Sequence, residues 1–519
     1  MQNQLTNPIV QGSHCDPSVC AARGRYYMVT STFSFFPGIP VLESEDLFNW
    51  KIIGHVLTTP SAAQIEDAAY NAGNWATTIR YDGARFYIVV SNVSVARTFF
   101  CTADDPAGPW SEPIFVEKID EAGKVYDPSL DFEDGRCYIT YALGTGDNAI
   151  LMAEIDATDG RLLSEPREIW RGTGMFGIEG PHVYPFGDYY FLLAAAGGNT
   201  NHAALVARSR ERFGPYESAP HNPVFTNFNE RQRLFQSLGH GDFVRDAVGH
   251  WWFIFHATRN VGGYEGLADT AGREACIAPV EWQDDWPIVG DDGRLPARYE
   301  LDREIPEQLP WAFEDDLSTP DWPLEWLFRQ PPKVPQFERD TDAREIRLTG
   351  NAADLSQQKP GATWCAVRQA FNEGVWQVSM QFDPQQENEE AGISCFMNPD
   401  YHYDLLISRE AGQPVLVARR QVSDIDYIQE SMPVEGEWVD VEVRVNPWAY
   451  EFFVGFDGGE KNLFAKMQAH LITRSVAGGF TGVMLSLFAT GRGDACSGPV
   501  RFKNIAARET GKVVPPHKL

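Results

Sequence analysis

The chain has 519 residues, 43% of them hydrophobic and 13% aromatic. That is too long for one ordinary core and too apolar for a disordered segment, so two or more globular domains are expected. Its 43 Lys and Arg stand against 72 Asp and Glu, a net charge of −29, which repels nucleic acid and anionic membranes and suits a neutral partner or substrate.

The first expected domain spans residues 1–305 and reads as strands throughout, with Gly, Pro, Asp and Asn punctuating β-branched and aromatic runs. Five times a glycine leads into a closing aromatic, four times as an aromatic pair: at Gly24-Arg25-Tyr26-Tyr27, Gly83-Ala84-Arg85-Phe86-Tyr87, Gly135-Arg136-Cys137-Tyr138, Gly187-Asp188-Tyr189-Tyr190 and Gly249-His250-Trp251-Trp252. Roughly eleven or twelve residues before each closing aromatic stand Asp16, Trp75, Asp127, Glu179 and His240 in turn. Recurrence at roughly 50–60 residues, with several short strands per unit, predicts a five-bladed β-propeller. Polar turns closing on Trp50, Trp110 and Tyr216 recur after the aromatic strands and support the same reading. Equivalent positions of successive blades face one axis, so these five residues are expected to converge on a single pit.

From 306 to 335 the texture changes. Seven prolines interrupt an acidic stretch that includes Phe313-Glu314-Asp315-Asp316, which predicts a connector laid over a surface. Residues 336–519 return to period-two alternation, as in Trp376–Phe382 and Trp438–Val445. Strands of that length suit an antiparallel β-sandwich. The expected fold class is therefore all-β in both domains.

The eight cysteines form no Cys-x-x-Cys pair, and several lie in apolar strand patterns; buried free thiols are expected rather than a disulfide framework. With no basic-then-apolar leader and no run long enough to span a bilayer, a cytoplasmic location is the default expectation. A secreted chain shorn of its leader would read the same.

Asp16 and Asp127 share the tripeptide Asp-Pro-Ser, and Glu179 is followed by Gly180-Pro181. Proline removes a backbone donor and fixes φ, so each carboxylate is expected to splay away from its strand. A single Asp-Pro is an ordinary surface turn; three such features at one blade position point to a site. Carboxylates gathered in a partly dry pit cannot all stay ionised, and the resulting asymmetry supplies one acid and one base, as glycoside hydrolysis requires. Arg273 is a candidate counter-charge, and on spacing alone it is equally an ordinary surface arginine. His240 is either a pocket wall or a metal ligand. No second histidine stands at ligand spacing, which leaves room only for a hydrated calcium held by His240 on the axis, with no cofactor required. Phe33 and Trp75 are ordinarily core residues, but aromatic rings also cover the apolar faces of sugars.

At these residues the chain resembles glycoside hydrolase family 43, and most closely its two-domain β-xylosidases. The resemblance runs from Asn7-Pro8-Ile9-Val10 through Asp16-Pro17-Ser18, Thr30–Gly38, Trp75-Ala76, Tyr126-Asp127-Pro128-Ser129, Glu179-Gly180-Pro181-His182, Val206–Arg210, Gly239-His240-Gly241-Asp242 and Gly272-Arg273-Glu274 to Phe480-Thr481-Gly482. It implies inverting hydrolysis, with Asp16 as general base, Glu179 as general acid and Asp127 keeping Glu179 protonated. It also implies a terminal-sugar pocket lined by Phe33, Trp75, Ala76 and Tyr126, with Arg273 and His240 holding Asp127 and the sugar, and a sandwich loop closing one side. Exo-release of β-1,4-linked D-xylose from xylo-oligosaccharides is the leading expectation. An α-L-arabinofuranosidase on arabinose-substituted oligosaccharides, or a bifunctional enzyme, is the alternative, and a non-catalytic carbohydrate-binding protein is disfavoured by the intact carboxylates. Retaining fructosidases are disfavoured by Cys15 before Asp16 and Gly180 after Glu179. Departures from the family pattern are Cys15, Thr77, the segment Leu143-Gly144-Thr145-Gly146 without tryptophan, and Met484 where relatives' sandwich loops tend to offer phenylalanine. Whether the sandwich supports a homo-oligomer is left open.

Overall fold

The computed structural model describes residues 2–119, 123–144, 149–198, 201–261 and 269–511. Five antiparallel sheets of four consecutive strands each form the propeller. Their innermost strands are Ser18–Ala22, Asn74–Tyr81, Lys124–Glu133, Glu179–Phe186 and Phe235–Arg245. The second strands are Arg25–Val29, Phe86–Asn92, Arg136–Gly144, Tyr189–Ala196 and Trp251–Arg259. The recurrent glycines sit in the hairpins between them, and all five adopt positive φ, between 62° and 100°. That backbone region is the reason the motif carries glycine. The polar turns link third to fourth strands: in blade 1, Asp46 Oδ1 accepts from Phe48 and Asn49 N–H at 2.7 and 2.8 Å. The ring is tied from outside, where Gln2–Thr6 pairs with Arg298–Ile305.

The second domain is a sandwich of an eight-stranded and a seven-stranded antiparallel sheet. Its core is filled by inward residues of both sheets, such as Trp376, Met380, Ile393, Tyr403, Phe452 and Leu487. The outer face of the seven-stranded sheet docks on the propeller. Phe35 stacks on Trp364 at 5.6 Å, and the Tyr70 hydroxyl donates to the Met397 carbonyl at 2.8 Å. All eight cysteines are buried and free. Among the described residues, no helix is long and apolar enough to cross a membrane.

The proline-rich stretch 306–335 departs from the expected surface connector. Ala312–Asp315 pairs with Val500–Glu509 in the eight-stranded sheet, and Leu327–Phe328 pairs with Thr363–Arg368 in the seven-stranded one. The prolines confine these strands to a few residues, but the aromatics in and beside them (Phe313, Trp326, Phe328) are buried, and that burial binds the segment to the sandwich. Asp315 fastens it, accepting from both Arg339 Nη atoms at 2.7 and 2.9 Å and from Trp326 Nε1 at 2.8 Å. Asp315→Ala leaves the Arg339 guanidinium buried without its carboxylate and should cost the sandwich about 3–5 kcal/mol, read from urea unfolding followed by circular dichroism. An unchanged midpoint would mark the segment as a dispensable connector.

Candidate active site

Each carboxylate reaches the axis through an irregular start to its inner strand. Asp16, Asp127 and His240 take left-handed φ values of 55°, 51° and 45°, and Gly180, directly after Glu179, takes 56°. Register shifts interrupt the inner strands between Tyr126 and Ser129, between Glu179 and His182, and around His240. A bulge turns the side chain out of the pleat and towards the axis, at a strain of about 1–3 kcal/mol for each non-glycine residue. Gly180 also lets the chain pass under the imidazole: a Cβ there would stand 2.8 Å from His240 Nε2.

Four of the five marked residues, Asp16, Asp127, Glu179 and His240, meet at the axis, and Trp75 stands against Tyr126 in the wall beside them. His240 Nδ1 lies 3.6 Å from Asp16 Oδ1, 3.9 Å from Asp127 Oδ2 and 3.4 Å from Glu179 Oε1. Arg273 Nη1 is 3.6 Å from Asp16 Oδ1. Asp16, Asp127, His240 and Arg273 are buried, whereas the Glu179 side chain keeps 24% of its exposure. Of the trio, Glu179 therefore faces the open side.

Aromatic rings wall that side. Trp75 meets Tyr126 edge-on at 6.3 Å, and Lys124 Nζ sits 4.2 Å over the Trp75 ring. Tyr126 donates to the Ile178 carbonyl at 3.2 Å, and Ala76 is buried beside Trp75. Gly144 leaves room for Tyr126, since a Cβ there would strike its ring; Thr145 and Gly146 lie outside the described residues. The sandwich closes the wall with Phe480, which stacks on Phe33 at 5.5 Å and meets Trp75 edge-on at 5.7 Å. The expectation about Met484 is corrected here. Met484 lies inside a strand of the seven-stranded sheet, buried against Trp364 and Phe396, and Phe480, four residues earlier, is the ring that reaches the pocket.

The electrostatics separate the three carboxyls. Burial opposes ionisation of Asp16, but the charge of His240, the His256 contact at 3.0 Å and Arg273 hold it well below the usual carboxylate range. Ser31 donates to its other oxygen at 2.7 Å. Burial pushes Asp127 up to about 7, with Glu179 and Asp16 adding to the rise. Burial would lower His240, yet the three facing carboxyls raise it to about 9, so it is an imidazolium at neutral pH.

For Glu179, burial works upward, while the His240 hydrogen bond and the charges of His202, His240 and Arg273 draw it down. The His202 part of that pull needs a charged ring, and burial holds His202 neutral, down to about 3. His202 Nδ1 faces the Gly198 carbonyl at 2.8 Å, so it carries the proton, and Nε2 turns its lone pair to Glu179 Oε1 at 3.3 Å. A protonated Glu179 satisfies that lone pair and an ionised one does not.

His202 and His256 were invisible to the sequence reading. They enter the pit from the start of a third strand and from the middle of a second strand, where no motif or ligand spacing marks them. Ligand atoms of Glu179, His202 and His240 lie within 4.8 Å of one another. Two of the three are imidazole nitrogens, however, and calcium takes six to eight oxygens, so these residues do not make a calcium site by themselves.

The family profile described as glycosyl hydrolases family 43 matches residues 5–287, and that of the β-xylosidase C-terminal concanavalin A-like domain matches residues 314–506. A non-reducing end α-L-arabinofuranosidase of Bacteroides ovatus is 34% identical over 96% of this chain and 94% of its own length. A xylosidase/arabinosidase of Butyrivibrio fibrisolvens is 31% identical over 94% and 96%. The crystal structure of a xylan β-1,4-xylosidase from Bacillus halodurans superposes with a TM-score of 0.87 at 25% identity, covering 97% of this chain and 99% of that one. With both domains matched along nearly their whole length and the propeller and sandwich in the same order, the chain belongs to glycoside hydrolase family 43.

Proposed function

We propose that the protein is an inverting, exo-acting glycosidase that releases a terminal pentose, in the first place β-1,4-linked D-xylose from xylo-oligosaccharides. The observation that carries this reading is the clustering of three inequivalent carboxyls around His240, in a pit whose open side is walled by aromatic rings from both domains. Asp16, held ionised, takes a proton from water as that water attacks the anomeric carbon. Glu179, on the open side with its proton supported by His202, gives that proton to the departing oxygen. Asp127 lies beside Glu179 and accepts from the Gly180 N–H, and its readiness to take a proton near neutral pH tunes the acid. Phe33, Trp75, Ala76, Tyr126 and Phe480 cover the sugar's apolar face, and His240 and Arg273 supply donors to its hydroxyls. After one turnover Asp16 carries a proton and Glu179 has lost one, and exchange with solvent restores both.

Asp16 Oδ1 and Glu179 Oε1 both contact His240 Nδ1. At 3.6 and 3.4 Å from that nitrogen, these two oxygens stand at most about 7 Å apart, which reaches only the lower edge of the roughly 6.5–9.5 Å expected of an inverting pair. Proton NMR of the first-formed sugar therefore tests the stereochemistry, and a product with the substrate's anomeric configuration would overturn the reading.

A second reading, α-L-arabinofuranoside hydrolysis alone or alongside, is favoured by the 34% identical Bacteroides ovatus arabinofuranosidase. Rates on the 4-nitrophenyl β-D-xyloside and α-L-arabinofuranoside decide between them, and negligible xyloside cleavage would displace the first reading.

The two carboxyl roles predict different variant behaviour. Asp16→Asn should lose about 10²–10⁴-fold on every substrate, because each needs an activated water. Glu179→Gln should lose a similar factor on xylobiose but far less on a nitrophenyl glycoside, whose leaving group departs without a proton. Equal losses for Glu179→Gln on both substrates would remove it from the acid role.

A further inference from the structure

One buried ion pair crosses the domain boundary beside the pit without touching it. Arg474 begins the short helix Arg474–Ala477 of the sandwich. Its Nε lies 3.4 Å from Asp269 Oδ2 of the propeller, and its Nη2 lies 3.3 Å from Ser237 Oγ. Both side chains of the pair are almost fully buried, at 6% and 1% exposure. Ser475 adds contacts to Asp269 Oδ1 from its N–H and its hydroxyl, at 3.4 and 3.3 Å. Arg474 thus reaches the two stretches of blade 5 that deliver axial residues. Ser237 stands three residues before His240, and Asp269 stands four before Arg273.

The stretch from Asp269 to Arg273 is held from both domains. Gly272 N–H donates to the Asp269 carbonyl at 3.1 Å, and Arg273 accepts at its carbonyl from His14 N–H at 2.8 Å. Arg273 also opens a strand of blade 5 and stands opposite Thr258 in its ladder, and the sandwich adds support from the other side. Val483 N–H donates to the Thr270 carbonyl at 2.8 Å, and Gln369 Nε2 donates to the Thr270 hydroxyl at 3.1 Å. Gly272 and Gly482 touch backbone to backbone: a Cβ on Gly272 would stand 2.6 Å from Gly482 N. Arg273 in turn sits 5.5 Å over the Phe480 ring. Burying two guanidiniums near each other is unfavourable unless each has its own carboxylate, and Asp269 and Asp16 fill those two places.

Resting on the assignment of Asp16 as base, we propose that Arg474 and Asp269 are positioning residues: the sandwich holds the Arg273 stretch through this pair, so that the Arg273 guanidinium faces Asp16 and the sugar. The second domain then contributes to turnover in two ways, by Phe480 in the pocket wall and by the pair behind it. Misplacing a catalytic cation by about 1 Å from a remote change costs on the order of 10²-fold, and releasing Arg273 also withdraws one of the cations that keep Asp16 ionised.

The test compares Arg474→Met, Arg474→Lys and the isosteric Asp269→Asn with the wild type on a nitrophenyl glycoside. Arg474→Met and Asp269→Asn should lower kcat/KM by about 10–100-fold. Because the base must be ionised, and losing a facing cation raises its pKa, the acid limb of the kcat/KM profile should move to higher pH in both. Arg474→Lys, which keeps the charge, should restore much of the profile. A merely structural pair would lower the unfolding temperature and leave the limb where it is. Folded Arg474→Met or Asp269→Asn with an unmoved acid limb and kcat/KM within about twofold of wild type overturns the proposal, and Asp269→Asn decides if Arg474→Met does not fold. A wild type inactive on both glycosides would count against the proposed function instead. The proposal is then judged from a crystal structure of Asp269→Asn, where an undisplaced Arg273 would sink it.

Discussion

Three carboxyls cannot share one buried pit unless cations stand among them, and the rest of the site follows from that constraint. Two like charges about 4 Å apart repel by roughly 4 kcal/mol at an effective dielectric near 20. His240 answers this by standing within 4 Å of all three carboxyls at once, and Arg273 adds a second cation on the Asp16 side. Asp127 and Glu179 then share one proton between them: burial makes Asp127 ready to take it near neutral pH, and the His202 lone pair draws it to Glu179. Two cations, two carboxylates and one neutral or proton-sharing acid make a nearly uncharged pit inside a strongly acidic protein. A neutral sugar can enter such a pit without meeting the net charge of −29 carried by the chain.

The propeller supplies the convergence and bears its strain. Left-handed backbone at Asp16, Asp127 and His240 is tolerated because the inner strands are held on both sides by neighbouring sheets. Below the pit the same strands are locked by ions. Arg80 bonds Asp242 at 2.6 Å and faces His182 at 2.7 Å, and Ser18 donates to Asp242 at 2.6 Å. These residues lie a short step beyond the markers on four of the five inner strands. The bulged ends above are thus anchored to a rigid ring beneath.

The sandwich is more than an appended module. The outer face of its seven-stranded sheet buries Phe35 and Tyr70 of the propeller, its Phe480 completes the aromatic wall, and its Arg474 meets blade 5 behind the wall. The prolines before it shape short strands that belong to it, so the two domains are joined by packed structure along most of that segment.

Much of this was legible along the chain. The period of the Gly-aromatic hairpins and the Asp-Pro-Ser pair revealed the propeller, its axis and the carboxylate trio, because those features are local: a positive φ needs glycine, and a strand beginning at proline frees the residue before it. The alternation after residue 336 revealed the sandwich for the same reason. The proline-rich stretch was misjudged because density of proline reports what a segment cannot form internally, not what pairs with it from afar. His202, His256, Phe480 and Arg474 carry no local mark, since their meaning lies in what stands opposite them. The sequence by itself determined which backbones bend and where carboxylates leave their strands. Only the tertiary structure decided which of them stay charged, because burial, an imidazolium shared three ways and a guanidinium from another blade act through space rather than along the chain.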